Sequence, residues 1–338
     1  MLFLLSSDAS PRYKQDILRC LAAPIGSTVQ FRYDRVHVSS ETLALFSEEQ
    51  ASFPMEGIVC SVASKGIGPL RLVPVRKVFV QRPKSHGATL SIALVMHDLV
   101  SSSDAAAFTA DLHRFTNQNT PRRLQEGADP VGFYCFSAES PAGFSSGRSL
   151  EIWEHAVIDL RTQHAYSDEP FFWVTLGIDC PGTPLDTERL HAWPTSLEPG
   201  KEYRLMVYHL QPRGGPRPNS KMEVTMGNLL QSVLPPDTKI DSRYDLKSWW
   251  FSTGDSSRAQ KSWMRIRTAD SWDLDLVIEV NASRSRAVIS GALMGGSAVI
   301  ALVPQHLSTG MKVGLGLAAV ALGIVSNLIA SSKSSNKQ

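Results

Sequence analysis

Cysteine is scarce in this 338-residue sequence, with only four positions, and no two of them form a CxxC pair. A structural zinc site takes closely spaced cysteine and histidine ligands, and a disulfide framework belongs to small, secreted, cysteine-dense chains. The sequence therefore predicts no metal site and no disulfide framework, with reduced thiols at Cys20, Cys60, Cys135 and Cys180.

A basic excess is also missing, since 34 lysines and arginines stand against 32 aspartates and glutamates and leave a net charge of +2. Nucleic-acid-binding domains usually carry a strong basic excess on one face. The composition therefore predicts that nucleic acid is not a partner.

Motifs of catalysis and cofactor binding are absent as well. The sequence contains no GxxxxGK[ST] phosphate loop and no GxSxG nucleophile turn. The stretch EIWEH, from Glu151 to His155, lacks the second histidine of a zinc protease and is expected to be a strand. His97 and Asp98 end an apolar strand, and no nucleophile can be tied to them. We therefore predict no catalytic, cofactor-binding or metal-binding residues, and no cofactor.

Charged side chains are missing from two runs near the end of the chain, residues 287–303 and 313–330. A membrane-spanning helix needs about 20 apolar residues, with about 17 as the lower limit. Each run contains three glycines, which are costly in a soluble helix and more frequent in membrane helices. The pattern predicts a C-terminal two-helix transmembrane hairpin over residues 284–332. A pair of buried core helices is the alternative.

Basic residues flank the predicted hairpin, with Arg284 and Arg286 before it and Lys333 and Lys337 after it. The positive-inside rule places both flanks in the cytoplasm, and charged residues follow Met1 too closely for a signal peptide. The predicted location is the inner (plasma) membrane, with two passes, a cytoplasmic body and a cytoplasmic C-terminus.

Small residues recur at a four-residue spacing within the hairpin, and this spacing lets helix backbones approach closely in lipid. Packing within one hairpin and packing between chains, which would give a homo-oligomer, are both open. The positions expected to pack are Gly291, Gly295, Gly310, Gly314, Ala318 and Gly323.

The residues before the hairpin are expected to form two domains. Residues 1–145 mix helix and strand patterns and predict an α+β domain, in which Pro74 marks an edge or bulged strand. Residues 146–283 predict a mostly-β, sandwich-like domain of seven short strands.

Two features of the β-rich region bear on recognition. The loop of residues 211–221 is expected to be exposed, or to contact anionic headgroups or an acidic partner through Arg213, Arg217 and Lys221. Five tryptophans are expected to fill the core, with an exposed recognition surface as the alternative: Trp153, Trp173, Trp249, Trp250 and Trp263.

Three classes of function follow from this organisation. The first is a membrane-anchored sensor and effector whose hairpin oligomerises and perturbs the membrane, a plan shared with bacterial immune effectors by architecture alone. The alternative is a membrane-anchored adaptor that binds another protein through its β-rich domain. A membrane-associated enzyme of unrecognised type is the weakest hypothesis, because the known motifs are missing.

The predicted topology can be tested by cysteine labelling of Ser308→Cys and Ser334→Cys chains in membranes. The link and the C-terminus should be labelled from opposite sides, because each helix crosses the bilayer once. The parent chain with its native cysteines gives the background. Labelling of both positions from one side would contradict the topology.

Overall fold

The computed structural model describes residues 1–7, 11–47, 52–63, 71–115, 133–139, 141, 143–162, 166, 169, 171–182, 186–211, 221–233, 238–240, 242–268 and 272–283. These residues form fifteen β-strands, four α-helices and one short 3-10 helix, so the described part of the chain is mostly β.

The largest sheet has eight strands, six of them in the order β2-β6-β4-β3-β1-β7, with β5 and β8 also paired to β6. Neighbouring strands are antiparallel except β1 and β3, which are parallel. The strands are β1 (Leu2–Ser7), β2 (Thr28–Asp34), β3 (Met55–Ala63), β4 (Arg71–Val80), β5 (Lys84–His86), β6 (Thr89–Ser102), β7 (Phe133–Ser137) and β8 (Phe144–Gly147).

Two smaller antiparallel sheets follow. One has the order β12-β13-β10-β9 and the other the order β11-β14-β15. Their strands are β9 (Phe172–Asp179), β10 (Glu202–Leu210), β11 (Met222–Met226), β12 (Leu230–Ser232), β13 (Tyr244–Thr253), β14 (Gln260–Thr268) and β15 (Asp273–Val280).

The helices cover the large sheet. They are α1 (Pro11–Ala22), α2 (Ser40–Ser47), α3 (Ala105–Phe115) and α4 (Leu150–Thr162), with a 3-10 helix at Arg35–His37. Asp104 caps α3, since its Oδ1 accepts the backbone N–H of Ala106 at 2.8 Å and of Ala107 at 3.1 Å. One face of the sheet packs on α3 through Phe108 and Leu112, and the other face packs on α1 and α4. Burial on both faces explains the continuous apolar runs in β1 and β3.

One apolar cluster extends through all three sheets and includes Leu4, Phe31, Trp249 and Leu276. Within this cluster the rings of Trp173 and Trp272 stack, with centroids 4.6 Å apart and planes 10° from parallel. Because Trp272 directly precedes β15, this stack fixes the position of the three-stranded sheet relative to the four-stranded one.

The expected strand around EIWEH is wrong, because these residues lie in α4. The side chains that α4 buries are Trp153, Ala156, Val157 and Leu160. Their spacing of i, i+3, i+4 and i+7 is the period of an amphipathic helix. The β-branched and aromatic residues of the stretch favour a strand. Its apolar side chains nevertheless recur with the period of a helix, and α4 buries the face that carries them against the large sheet.

The expected fold class, an α+β part followed by a β-sandwich and a transmembrane hairpin, is also wrong. Strand β8 spans the expected division at residue 145 and pairs with β6, and α4 packs on the large sheet. Pro74 lies in β4, an inner strand, at a shift in register, so the bulge is confirmed and the edge position is not. No helix of the described ranges is long and apolar enough to span a membrane. The expected hairpin lies outside the described residues.

The shared core predicts that the described body unfolds in one transition. Replacing Trp173 with alanine should lower the free energy of unfolding of the full chain by about 3–5 kcal/mol, because the stack with Trp272 is lost in the core. The exposed control Val233→Ala should change it by less than about 0.5 kcal/mol. Urea unfolding followed by circular dichroism measures both. Two separate transitions, only one of them shifted by Trp173→Ala, would support the two-domain division at residue 145 instead.

Candidate functional site

The strand edges of two sheets face one another across a cleft of about 530 Å³. Strand β2 is an edge of the large sheet and β15 is an edge of the three-stranded sheet. Helix α1 lies between them and supplies Asp16 and Arg19 to the wall. The volume falls in the usual range of ligand sites, roughly 300–1,000 Å³.

Arg19 holds the cleft together. Its Nε donates to the backbone oxygen of Asp273 at 2.9 Å, and its Nη2 lies 3.4 Å from Asp273 Oδ1. Its Nη1 lies 3.3 Å from Oδ1 of Asp16, and the hydroxyl of Tyr33 donates to Oδ2 of the same buried carboxylate at 2.8 Å. The planar guanidinium can serve these acceptors together, so Arg19 joins α1 to β15, and Asp16 joins the same helix to Tyr33 of β2.

Strand β2 forms the opposite wall. Val29, Phe31 and Tyr33 are buried in the core, and the alternate residues Thr28, Gln30 and Arg32 are exposed. The amide of Gln30 donates to Ser91 Oγ at 2.6 Å and accepts from Arg32 Nη2 at 3.0 Å. The strand therefore presents an ordered polar surface to the cleft.

The outer face of the three-stranded sheet continues the cleft. Arg265 forms a bidentate pair with Asp275, with N–O distances of 2.6 and 2.9 Å, and its guanidinium lies 5.7 Å from the ring centroid of Trp263. The hydrogen bonds and charge of Asp275 raise the pKa of Arg265 above its ordinary value. Trp263 and Val277 stand opposite each other and are 43% and 57% exposed. We call these four residues the ladder face.

The predicted tryptophans divide between the two interpretations. Trp153, Trp173 and Trp249 are buried in the core. Trp250 is half-buried beneath the guanidinium of Arg204, and Trp263 lies on the ladder face. The alternating pattern of SWMRIRT identifies this face in the sequence. Ser262, Met264, Ile266 and Thr268 are buried, so Trp263 and Arg265 lie on the opposite, outer face.

The other titratable groups singled out in the sequence do not form a catalytic constellation. His97 Nδ1 lies 3.5 Å from Asp98, and Arg148 Nε donates to Asp98 at 2.9 Å, in a partly exposed ion-pair group. On α4, Glu154 accepts a hydrogen bond from the hydroxyl of Tyr208 at 3.0 Å. Desolvation, then this carboxylate, raises the pKa of Tyr208 above its ordinary value.

Three of the four cysteines are buried, at Cys20, Cys60 and Cys135. All four cysteines are free thiols, and burial raises the pKa of Cys20, Cys60 and Cys135 above the ordinary value, which keeps these thiols protonated. No group of three potential metal ligands occurs among the residues described.

Several predicted site residues lie outside the described ranges. Arg213 and Arg217 are among them. Lys221 is described: it is exposed, directly precedes β11, and its backbone pairs with that of Lys239 in an isolated antiparallel β-bridge. The predicted packing and topology residues are also outside: Gly291, Gly295, Gly310, Gly314, Ala318, Gly323, Arg284, Arg286, Lys333 and Lys337.

No protein-family model matches the chain. Comparison with curated proteins also gives no match. Among solved structures, a Bacteroides ovatus GH5 xyloglucanase bound to a XXXG heptasaccharide is similar over 26% of this chain and 17% of its own, with 9% identity and a TM-score of 0.18. The secreted serine protease VesC from Vibrio cholerae is similar over 79% of this chain and 72% of its own, with 7% identity and a TM-score of 0.22. These scores are too low to carry an argument about fold or function.

The bridging role of Arg19 can be tested by stability. Arg19→Met should lower the free energy of unfolding by about 1–3 kcal/mol, because buried Asp16 and the Asp273 carbonyl lose a charged donor. Arg19→Lys should cost less, since it keeps the charge without the fork. Adding Asp16→Asn to Arg19→Met should recover part of the loss by removing the buried charge. Denaturant unfolding of the four chains measures this, and an unchanged Arg19→Met midpoint would contradict the role.

Proposed function

We propose that the described body is a protein-binding module that recognises its partner through the ladder face and the adjoining cleft. The observation that carries this proposal is the exposed Trp263–Val277 pair beside Arg265, on a face whose residues Asp275 and Val277 also line the 530 Å³ cleft. This supports the adaptor hypothesis, in which another protein binds through the β-rich part of the chain.

The composition of the ladder face suits binding. Tryptophan and arginine are enriched among the residues that dominate interface energies. Asp275 and the ring of Trp263 both constrain Arg265, so less side-chain entropy would be lost when a partner binds. Trp263 also lies against Gly227, where an added Cβ would come within 2.9 Å of the indole Nε1. The aromatic and cationic anchors are therefore held in place by their neighbours.

The charges on this face support a protein partner over a nucleic acid. The cross-strand partners of Lys261, Arg265 and Arg267 on β15 are Glu279, Asp275 and Asp273. The basic residues thus face acidic ones, whereas phosphate backbones favour a surface with a continuous positive charge. The alternating pattern supports the expectation that nucleic acid is not the partner.

The remaining expectations stay predictions from the sequence. Membrane perturbation, contact with lipid, homo-oligomerisation and the two-pass location all depend on the C-terminal runs, which lie outside the described residues. An enzyme of unrecognised type stays the weakest hypothesis.

Site-specific photo-crosslinking in cells tests the proposal with the full chain. A photoreactive residue in place of Val277 should give a discrete crosslinked product. The same residue in place of Val233, which is 40% exposed and directly follows β12, should not. Arg265→Ala should remove the product from position 277, because the cationic anchor of the face is lost. Equal crosslinking from the two positions, or a product indifferent to Arg265, would overturn the proposal.

A further inference from the structure

We propose that a second cavity, between α4 and the four-stranded sheet, binds a small monocarboxylate with an apolar body. This site goes beyond the proposed function, because the cavity lies at α4, β10 and β13, whereas the ladder face lies on β14 and β15. Its volume is about 420 Å³, within the usual range of ligand sites, roughly 300–1,000 Å³.

Contacts of Tyr208 hold α4 against the end of the sheet. Its hydroxyl donates to Glu154 Oε1 at 3.0 Å, and its ring meets that of Trp153 edge to face with centroids 5.5 Å apart. Leu210, the last residue of β10, pairs with Tyr244, the first residue of β13. The cavity lies where α4 faces these two strand ends, so its walls come from packed elements.

Two arginines from different elements line the cavity, Arg161 in the last turn of α4 and Arg243 directly before β13. Within the described ranges neither side chain has an acidic or hydrogen-bonded partner. Arg204 and Arg265, in contrast, each pair with an aspartate. The dipole of α4 favours a cation at the position of Arg161, but Arg243 lies outside the helix. Two guanidinium groups are therefore available to an anion.

The acidic groups around the cavity do not cancel this charge. Glu154 is the one carboxylate in the lining, and it already accepts the hydroxyl of Tyr208. Asp159 accepts a backbone N–H of β6 at 3.1 Å, and Asp245 lies 3.5 Å from the ammonium of Lys247. Two guanidinium groups and one carboxylate leave one positive charge in excess. A monoanion balances this charge, whereas a dianion would be repelled more strongly by Glu154.

Unbonded polar atoms lie behind the same wall. Gln211 lines the cavity with only 1% of its surface exposed, and its Oε1 has no hydrogen-bond partner among the residues described. The buried Nε of Arg161 also lacks a partner there. Buried polar atoms in proteins are nearly always bonded. A bound ligand, or water that the ligand orders, would supply the missing partners.

The apolar part of the lining defines the body of the ligand. Ile158 and Tyr244 are large side chains that are 50% and 64% exposed, and Val157 and Leu210 complete the apolar wall. An apolar body over Ile158 and Tyr244 would remove their surface from water. A carboxylate suits the charged side, because its two oxygens match the fork of a guanidinium group. The lining thus combines anion recognition with an apolar surface.

Ligand-observed NMR titration of the purified full chain tests the site with small probes. Phenylacetate should bind with a dissociation constant on the order of 1 mM. Acetate, which lacks the apolar body, and phenylacetamide, which lacks the charge, should each bind at least about tenfold more weakly. Phenyl phosphate should also bind more weakly than phenylacetate, because it carries a second negative charge.

Variants assign the binding to this cavity. Arg161→Gln and Arg243→Gln should each weaken phenylacetate binding about tenfold, because a charged donor is lost. Arg258→Gln, at an exposed arginine between β13 and β14, is the matched control and should leave the affinity unchanged. Tyr244→Ala should weaken binding of phenylacetate but not of acetate. Thermal unfolding checks that each variant folds, and the exposed Arg243 and Tyr244 can be changed without altering the core.

Each other outcome overturns the proposal. Absence of phenylacetate binding at concentrations on the order of 10 mM, or equal binding of phenylacetamide, would mean that the arginines do not form an anion site. Unchanged affinity in both arginine variants would place the binding elsewhere. Binding of N-acetylphenylalanine about tenfold tighter than phenylacetate would assign the cavity to the C-terminus of a protein instead of a small acid.

Discussion

The guanidinium of Arg19 is the contact on which the geometry of the cleft depends. It joins a buried carboxylate on α1, itself bonded to Tyr33 of β2, to the backbone and side chain of Asp273 at the start of β15. Two sheet edges from opposite ends of the chain are thereby held a fixed distance apart. Arginine suits this position because its planar fork serves several acceptors at once, which the ammonium of lysine does not do as well.

Apolar packing supplies most of the stability behind that contact, and the polar groups determine its geometry. Fully burying a large apolar side chain contributes about 1.5–3 kcal/mol, whereas an exposed ion pair contributes about 0–1 kcal/mol. The cluster around Trp173 and Trp272 therefore positions β15, and pairs such as Arg265–Asp275 order the surface above it. Trp263 and Val277 do not take part in this core packing, so their exposure leaves the buried apolar surface of the core unchanged.

The strand edges of the described body differ in what bonds their outward groups. On β7, Cys135 N donates to Thr42 Oγ1, and on β15 the Val277 oxygen accepts from Trp193 Nε1, whereas β2 lines a cleft with charged walls. The ladder face lies on the outer side of the three-stranded sheet, and its residues Asp275 and Val277 line the same cleft.

Local patterns in the sequence determined much of the secondary structure. The helix at Pro11, the helix ending at Phe115 and most strands follow from their apolar periods, and the alternation around Trp263 determines which side chains share its face. The helix at Leu150 was missed because its strand-forming residues obscured a helical period. Only the tertiary structure decided that β8 and α4 join the large sheet, and that Arg19 meets Asp273 from 254 residues away. A residue's own pattern specifies which face is buried, but the distant element that covers it depends on how all the apolar surfaces fit together.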